Sequence, residues 1–215
     1  MASEEVFRAS ASERLAFADL LAGLSPEQLA APSLCGRWDV ATVGAHLGSA
    51  ITTRISVFAV TLIRHRGDFD RANDATARKA AKRGTAATIE TIRSNADSRF
   101  TPPGTGPRAP LTDVLVHTGD VARPLGLPHA APDDHVRIAL EFLDRPRTIG
   151  FVKPGSLDGL RFVADDLGAE TGEAGGEELH GRGIDLMMAI CGRSHALDDL
   201  RGPGVALLRS RLVRV

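Results

Sequence analysis

The chain has 215 residues, with 26 lysines and arginines against 27 aspartates and glutamates, and a formal net charge of −1. This balance excludes the strong positive field that draws proteins to nucleic acid or to anionic membranes. Hydrophobic residues make up 43% of the chain, enough for a sizeable core, whereas aromatic residues make up only 4% and tyrosine is absent. Such a composition favours helix-on-helix packing over a β-sandwich.

The cysteine content and the N-terminal segment bear on location. Cys35 and Cys191 are the only cysteines, too few for a disulfide framework, which fits a reducing compartment. The segment MASEEVFRAS is acidic and lacks an apolar signal core, and no run of about 18 uncharged apolar residues occurs. We therefore expect a cytoplasmic monomer or homodimer that binds neither membranes nor nucleic acid.

Apolar residues at helical spacing predict a first helix over about residues 4–24. Ser25 and Pro26 then suit the N-cap and first position of a short helical turn. Asp39 is a suitable N-cap for a long second helix that continues to about His65. Further on, residues 66–84 are polar and carry no apolar stripe.

A third helix is predicted over about residues 85–99, and a fourth begins near Leu111 and ends before Pro124, which disfavours helix at the preceding residue. Another helix is predicted over 133–143. The pattern then changes: GLRFVADD and ETGEAGGEELHGR predict two short strands, followed by a buried helix over 183–192 and a short helix in the tail.

Three side chains on two of these helices suggest a metal site. Asp113 and His117 are four residues apart, so they project from one helix face, and His46 lies within the apolar stripe of the second helix. Taken singly, they also fit a core histidine and an ordinary surface pair. Two imidazoles buried in one helical core need partners, however, and a divalent metal would satisfy both.

We call His46, Asp113 and His117 the triad. Two imidazoles and one carboxylate form a three-ligand set that leaves a fourth position for water or substrate. Zinc is the first choice for these donors, and nickel, iron or manganese remain open.

Four further residues are candidates for a functional or a purely structural role. Asp120 either orients a metal-binding imidazole from behind or pairs with a basic side chain at the helix end. Arg193 follows the buried helix, where its charge suits the helix dipole. Cys35 has no histidine or lysine beside it in sequence, so we interpret it as a small buried or loop thiol rather than a nucleophile. His129 is expected to face solvent.

Several motifs together resemble one family. HTGDVARPLG resembles the H-x-x-D-x-x-R-P-L-G signature of the mycothiol-dependent maleylpyruvate isomerase-like family, in the DinB-like superfamily. GRWDVATVGAHL resembles that family's tryptophan-containing entry to a histidine-bearing second helix. ELHGRGIDLMMAICGRSHALDDLRGPGVALL resembles its C-terminal region, so the resemblance runs through most of the chain.

The resemblance implies a mainly α fold: a metal-binding DinB-like four-helix bundle over residues 1–147 and a small C-terminal α/β part over 148–215. It implies that the triad supplies the metal ligands. The family's acidic ligand is expected to be glutamate, and Asp113 is one methylene shorter, so we expect a helix shift or a bridging water there. The resemblance also implies that Arg193 binds a substrate carboxylate or the thiol, to which a guanidinium is suited.

From the metal chemistry and the resemblance together, we predict a metal-dependent enzyme that uses a low-molecular-weight thiol, mycothiol by resemblance, on a small electrophile. The metal would hold the thiol as thiolate, which adds to an activated double bond or displaces a leaving group. The alternatives are a non-enzymatic DinB-like protein that binds a metal or ligand, and a metal-dependent hydrolase that uses a bound water.

Overall fold

A computed structural model describes residues 3–36, 38–101, 104–145, 148 and 150–212 of the chain. The described residues form ten α-helices and one three-stranded sheet near the C-terminus. The predicted mainly α fold with a small C-terminal α/β part is therefore confirmed. The chain divides into two compact units, Met1–His129 and Ala130–Val215.

The first unit is helical throughout. Its α-helices are α1 (Ser3–Ala22), α2 (Pro26–Leu29), α3 (Val40–Thr52), α4 (Ile55–Arg64), α5 (Phe69–Ala81), α6 (Thr85–Ser94) and α7 (Arg108–Ala122). A 3₁₀ turn over Arg123–Leu125 follows α7, where Pro124 cannot supply an amide to continue the helix.

Four helices of this unit form the bundle. Helix α1 packs against α6 and α7, and α3 packs against the same two helices. The apolar stripes that predicted these helices meet in the centre, where the largest side chains with at most 1% exposure are Phe17, Leu21, Ile92, Leu111 and Leu115. Burial of such side chains contributes about 1.5–3 kcal/mol each and holds the bundle together.

The predicted caps are present. Ser25 and Gln28 form a reciprocal capping box at the start of α2. The carboxylate of Asp39 accepts a hydrogen bond of 2.7 Å from the amide of Thr42 and so begins α3. This cap fixes the first residue of α3, Val40, six residues before His46.

The single long second helix was a wrong prediction. The chain is extended at Thr53 and Arg54, with ψ angles of 125° and 139°, and α4 begins afresh at Ile55. No glycine or proline marks this break, and the apolar pattern runs across it, so no local signal indicates where α3 ends. The polar stretch beyond it forms α5, which Asp68 caps and which buries only Ala72 and Ala77.

The second unit contains α8 (Asp133–Leu143), β1 (Leu160–Ala164), β2 (Ala169–Gly172), β3 (Glu177–Gly181), α9 (Gly183–Ile190) and α10 (Gly204–Leu212). Strand β1 lies in the middle of the sheet, antiparallel to β2 and parallel to β3. The fully buried α9 packs against α8 and against β1 and β3. The prediction of two strands was wrong, because the glycine-rich segment folds as an edge strand, a turn and a third strand.

The predicted domain boundary after residue 147 falls among residues that the structure does not describe. Helix α8, which that boundary assigns to the bundle, packs on α9 in the unit Ala130–Val215. The boundary remains a prediction about which part of the chain folds by itself. Among the described helices, none combines the length and the apolar character that a bilayer span requires.

Two glycines of α3 provide a test of the bundle packing. A Cβ atom at Gly44 would lie 2.6 Å from Cδ1 of the buried Leu21, whereas one at Gly48 would meet nothing closer than 3.7 Å. We expect Gly48→Ala to raise the free energy of unfolding by up to about 1 kcal/mol through helix propensity. Gly44→Ala should instead lose about 1–3 kcal/mol to overpacking. Chemical denaturation of the two variants measures this difference, and equal stabilities would contradict the packing of α1 on α3.

Candidate metal centre

The packing of α3 against α7 brings the triad together. Oδ1 of Asp113 lies 3.8 Å from Nε2 of His46 and 3.5 Å from Nε2 of His117. The centroids of the two imidazole rings are 4.7 Å apart. One potential ligand atom from each of the three residues lies within 4.8 Å of the other two. The shorter side chain of Asp113 thus still reaches both histidines.

The triad is buried on one side and more open on the other. His46 and His117 are 6% and 7% exposed, whereas the side chain of Asp113 is 26% exposed. Trp38 covers the histidines, with its ring centroid 5.1 Å from that of His46 and 6.5 Å from that of His117. Its indole Nε1 donates a hydrogen bond of 2.7 Å to Asp74 on α5. The tryptophan therefore forms a fixed apolar wall beside both imidazoles.

Asp120 contacts the triad from behind. Its fully buried carboxylate lies 2.9 Å from Nδ1 of His117. A proton on Nδ1 donates to this carboxylate, and Nε2 is then the nitrogen that faces Asp113. This geometry favours the interpretation in which Asp120 orients a metal-binding imidazole.

The donor set fits a divalent metal. Nδ1 of His46 is buried and has no hydrogen-bond partner among the described residues. Burying an unpaired polar atom is costly, so Nδ1 fits a ligand that the chain itself does not supply, while Nε2 of the same ring is the nitrogen that faces Asp113. Two imidazoles and a carboxylate are donors that zinc accepts and that also suit other first-row metals.

The protonation states of Asp113 and His117 depend strongly on each other. Burial opposes ionisation of Asp113, but hydrogen bonds from His117 and His46 outweigh it and hold the pKa of this carboxyl well below its usual range. Burial likewise opposes protonation of His117. Hydrogen bonds to Asp113 and Asp120 prevail there and raise the pKa of His117 well above its ordinary value of 6.5. A metal binding to His117 must therefore displace a tightly held proton.

Part of the first unit matches a known domain family. Residues 10–101 match the family model described as the mycothiol maleylpyruvate isomerase N-terminal domain. This segment belongs to that family. The segment contains His46, and the maleylpyruvate isomerase domain model ends before Asp113 and His117.

The fold of the chain is similar to the crystal structure of a mycothiol-dependent maleylpyruvate isomerase and to that of a variant with one histidine replaced by alanine. Each is 13% identical, with a TM-score of 0.63, and each match covers 94% of this chain and 93% of the isomerase chain. No curated protein gives a significant sequence match. The resemblance inferred from the motifs is thus confirmed for the family over residues 10–101 and for the fold over most of the chain.

Cys35 has neighbours that the sequence did not reveal. Its Sγ, a ring nitrogen of His117 and a carboxylate oxygen of Asp120 lie within 4.8 Å of one another. No histidine neighbours Cys35 in sequence, but the loop before α3 folds against α7 and brings His117 close to its sulfur. The amide of Leu34 donates a hydrogen bond of 3.0 Å to the carbonyl of Asp120. No local sequence signal indicates such a long-range contact.

Two other sequence predictions concern residues away from the triad. His129 does not face solvent: it is 9% exposed, it accepts a hydrogen bond from Nε of Arg123, and its Nε2 lies 3.1 Å from the carbonyl of Leu115. Arg193 belongs to the second unit, where Nη1 donates to the carbonyl of Cys191 at the end of α9. This hydrogen bond gives Arg193 a structural role at the end of α9. Substrate binding by Arg193 remains a prediction.

The coupled charges predict how the metal-free protein responds to pH. The folded-state pKa of His117 lies above its unfolded-state value, so its contribution to stability is fully present below the unfolded-state pKa. That contribution is lost as the pH rises through the folded-state pKa. We expect Asp120→Asn to lower this pKa, as measured by NMR of the imidazole during a pH titration. Asp19→Asn, which removes an exposed carboxylate paired with Arg93, should leave it unchanged, and an unchanged titration in Asp120→Asn would contradict the assignment.

Proposed function

We propose that the protein is a metal-dependent enzyme that uses a low-molecular-weight thiol, mycothiol in view of its family, to isomerise or conjugate a small electrophile. The observation that carries the proposal is the convergence of the triad within a fold similar to that of a mycothiol-dependent maleylpyruvate isomerase. Residues 10–101 belong to the corresponding domain family, and the similarity of fold extends over the chain. A cytoplasmic location remains our expectation from the sequence.

Each residue of the site has a definite task in this proposal. His46, Asp113 and His117 hold a divalent metal, zinc by the chemistry of the donors. When bound, such a metal supplies a Lewis acid that keeps a thiol in its thiolate form at neutral pH. Asp120 holds the proton on Nδ1 of His117, so that Nε2 is the nitrogen that would bind the metal once its own proton is displaced. Trp38 excludes water from the buried side of the imidazoles.

The exposure of Asp113 supports a catalytic site over a purely structural one. A structural zinc site is closed by four protein ligands, whereas a catalytic site keeps a position for substrate. The triad supplies three donors, and its carboxylate side is the accessible one. A deprotonated thiol that enters from this side can add to an activated double bond, and its later elimination releases the thiol unchanged. Displacement of a leaving group by the same thiolate gives a conjugate instead.

The first test concerns metal binding. His46→Ala and His117→Ala should each lose stoichiometric metal, because two donors hold a divalent cation far less well than three. Elemental analysis of the purified variants measures this loss. His65→Ala, which alters the C-cap residue of α4, is the matched control and should retain the metal. Full metal occupancy in either triad variant would refute the ligand assignment.

The second test separates the enzyme from its alternatives by the requirements of turnover, and it also examines the role of Arg193. Turnover of an electrophile that bears a carboxylate should require both metal and thiol, whereas a hydrolase needs no thiol and a binding protein shows no turnover. Arg193→Ala should keep the metal and raise KM about tenfold or more, the effect of losing one charge-assisted hydrogen bond. Arg182→Ala, at the exposed opposite end of α9, should behave as the wild type. Unchanged KM and kcat in Arg193→Ala would remove Arg193 from the mechanism.

A further inference from the structure

A second group of donors lies against the triad and includes a sulfur atom. Cys35, His117 and Asp120 each present one ligand atom within 4.8 Å of the other two, and we call them the Cys35 cluster. His117 belongs to both groups. Its neighbours in the cluster come from the loop before α3 and from the last turns of α7.

Several hydrogen bonds hold Cys35 in place. Its amide donates to Oγ of Ser33 over 3.1 Å, and its carbonyl accepts from the amide of Trp38 over 3.1 Å. The neighbouring amide of Leu34 is bonded to the carbonyl of Asp120. The loop is therefore attached directly to the residue that supplies the carboxylate of the cluster. A cysteine whose backbone is fixed on both sides loses little backbone freedom when its thiol binds a ligand.

The exposure of the three residues also suits a binding site. Asp120 is fully buried and His117 is 7% exposed, whereas Cys35 is half-buried. The two buried donors already lie at hydrogen-bond distance from each other, 2.9 Å apart. Cys35 is thus the most exposed residue of a group that is otherwise built into the bundle.

The donor chemistry of the cluster differs from that of the triad. The triad offers two nitrogens and one oxygen, whereas the cluster offers one sulfur, one nitrogen and one oxygen. A thiolate and a carboxylate together carry two negative charges, and thiolate sulfur prefers soft cations. Cadmium and zinc are divalent ions that accept this combination.

We propose that the Cys35 cluster is a second cation site, selective for thiophilic divalent metals, that competes with the triad for His117. A cation held by Cys35 and Asp120 takes the carboxylate that fixes the orientation of the imidazole. Binding at the cluster therefore weakens binding at the triad, and by thermodynamic reciprocity a metal at the triad weakens binding at the cluster. The proposal requires no thiol-dependent activity and is independent of the proposed reaction.

Titration of the metal-free full-length protein with cadmium chloride tests this site. A cadmium–thiolate bond gives an ultraviolet charge-transfer band, which reports sulfur ligation directly. We expect the band in the wild type and in Cys191→Ser, which removes the only other cysteine. Cys35→Ser should lose the band and bind cadmium more weakly at this site by more than about tenfold.

Two further measurements separate the second site from the first. His46→Ala should keep the charge-transfer band, because it leaves all three donors of the cluster intact. Cadmium-113 NMR of the wild type should show two resonances, one shifted by sulfur ligation and one typical of nitrogen and oxygen ligands alone. The NMR experiment requires no variant, so it holds even if Cys35→Ser does not fold.

Three outcomes would overturn the proposal. The first is a wild-type protein with neither a charge-transfer band nor a sulfur-shifted resonance. The second is a band that persists in Cys35→Ser. The third is a band lost in His46→Ala together with a single sulfur-shifted resonance, since Cys35 would then be a fourth ligand of the triad's metal. None of these readouts depends on turnover, so failure here is distinct from failure of the proposed function.

Discussion

The structure of the site depends on one buried contact, that of α3 with α7. This contact places two imidazoles, which would each be costly to bury alone, on either side of one carboxylate. Apolar packing supplies the driving force, since the neighbouring core positions of both helices are filled by valine, leucine and alanine. The triad is thus a small polar group in an otherwise apolar interface. Packing of the surrounding bundle offsets the cost of burying it, and the contacts of Asp113 with both imidazoles reduce that cost.

His117 is the residue on which most of these interactions converge. One of its nitrogens faces Asp113 and the other faces Asp120, so the imidazole lies between two carboxylates. In the metal-free protein this arrangement favours the charged ring, which is why its pKa is raised. A metal that replaces the proton on Nε2 meets the same negative surroundings. The side chains that hold the proton therefore also prepare the site for a cation.

Much of this site could be predicted from sequence because its signals are local. Asp113, His117 and Asp120 lie within two turns of one helix, where spacing alone places them on neighbouring faces. Joining His46 to them rested on the need of two buried imidazoles for partners and on the family resemblance, because periodicity does not say which helices pack together. The contact of Cys35 with His117 had no sequence signal at all, because a loop was brought to α7 by hydrogen bonds between backbone groups.

The differences between the predicted elements and those of the structure also have specific physical reasons. The break at Thr53 and Arg54 occurs without proline or glycine inside a continuous apolar pattern, so hydropathy joined α3 to α4. Helix α5 buries two alanines and is otherwise polar, which gives it too weak a stripe to be recognised. Strand β2 alternates between exposed and half-exposed residues at the edge of the sheet. In each case packing against the rest of the chain determined the secondary structure of a segment whose local sequence pattern was ambiguous.

Anomalous X-ray diffraction from crystals grown with zinc, recorded on both sides of the zinc absorption edge, tests the central claim most directly. The account predicts an anomalous peak within bonding distance of His46, Asp113 and His117. A crystal saturated with zinc in which these three side chains contact only one another, with the ion bound elsewhere, would contradict it.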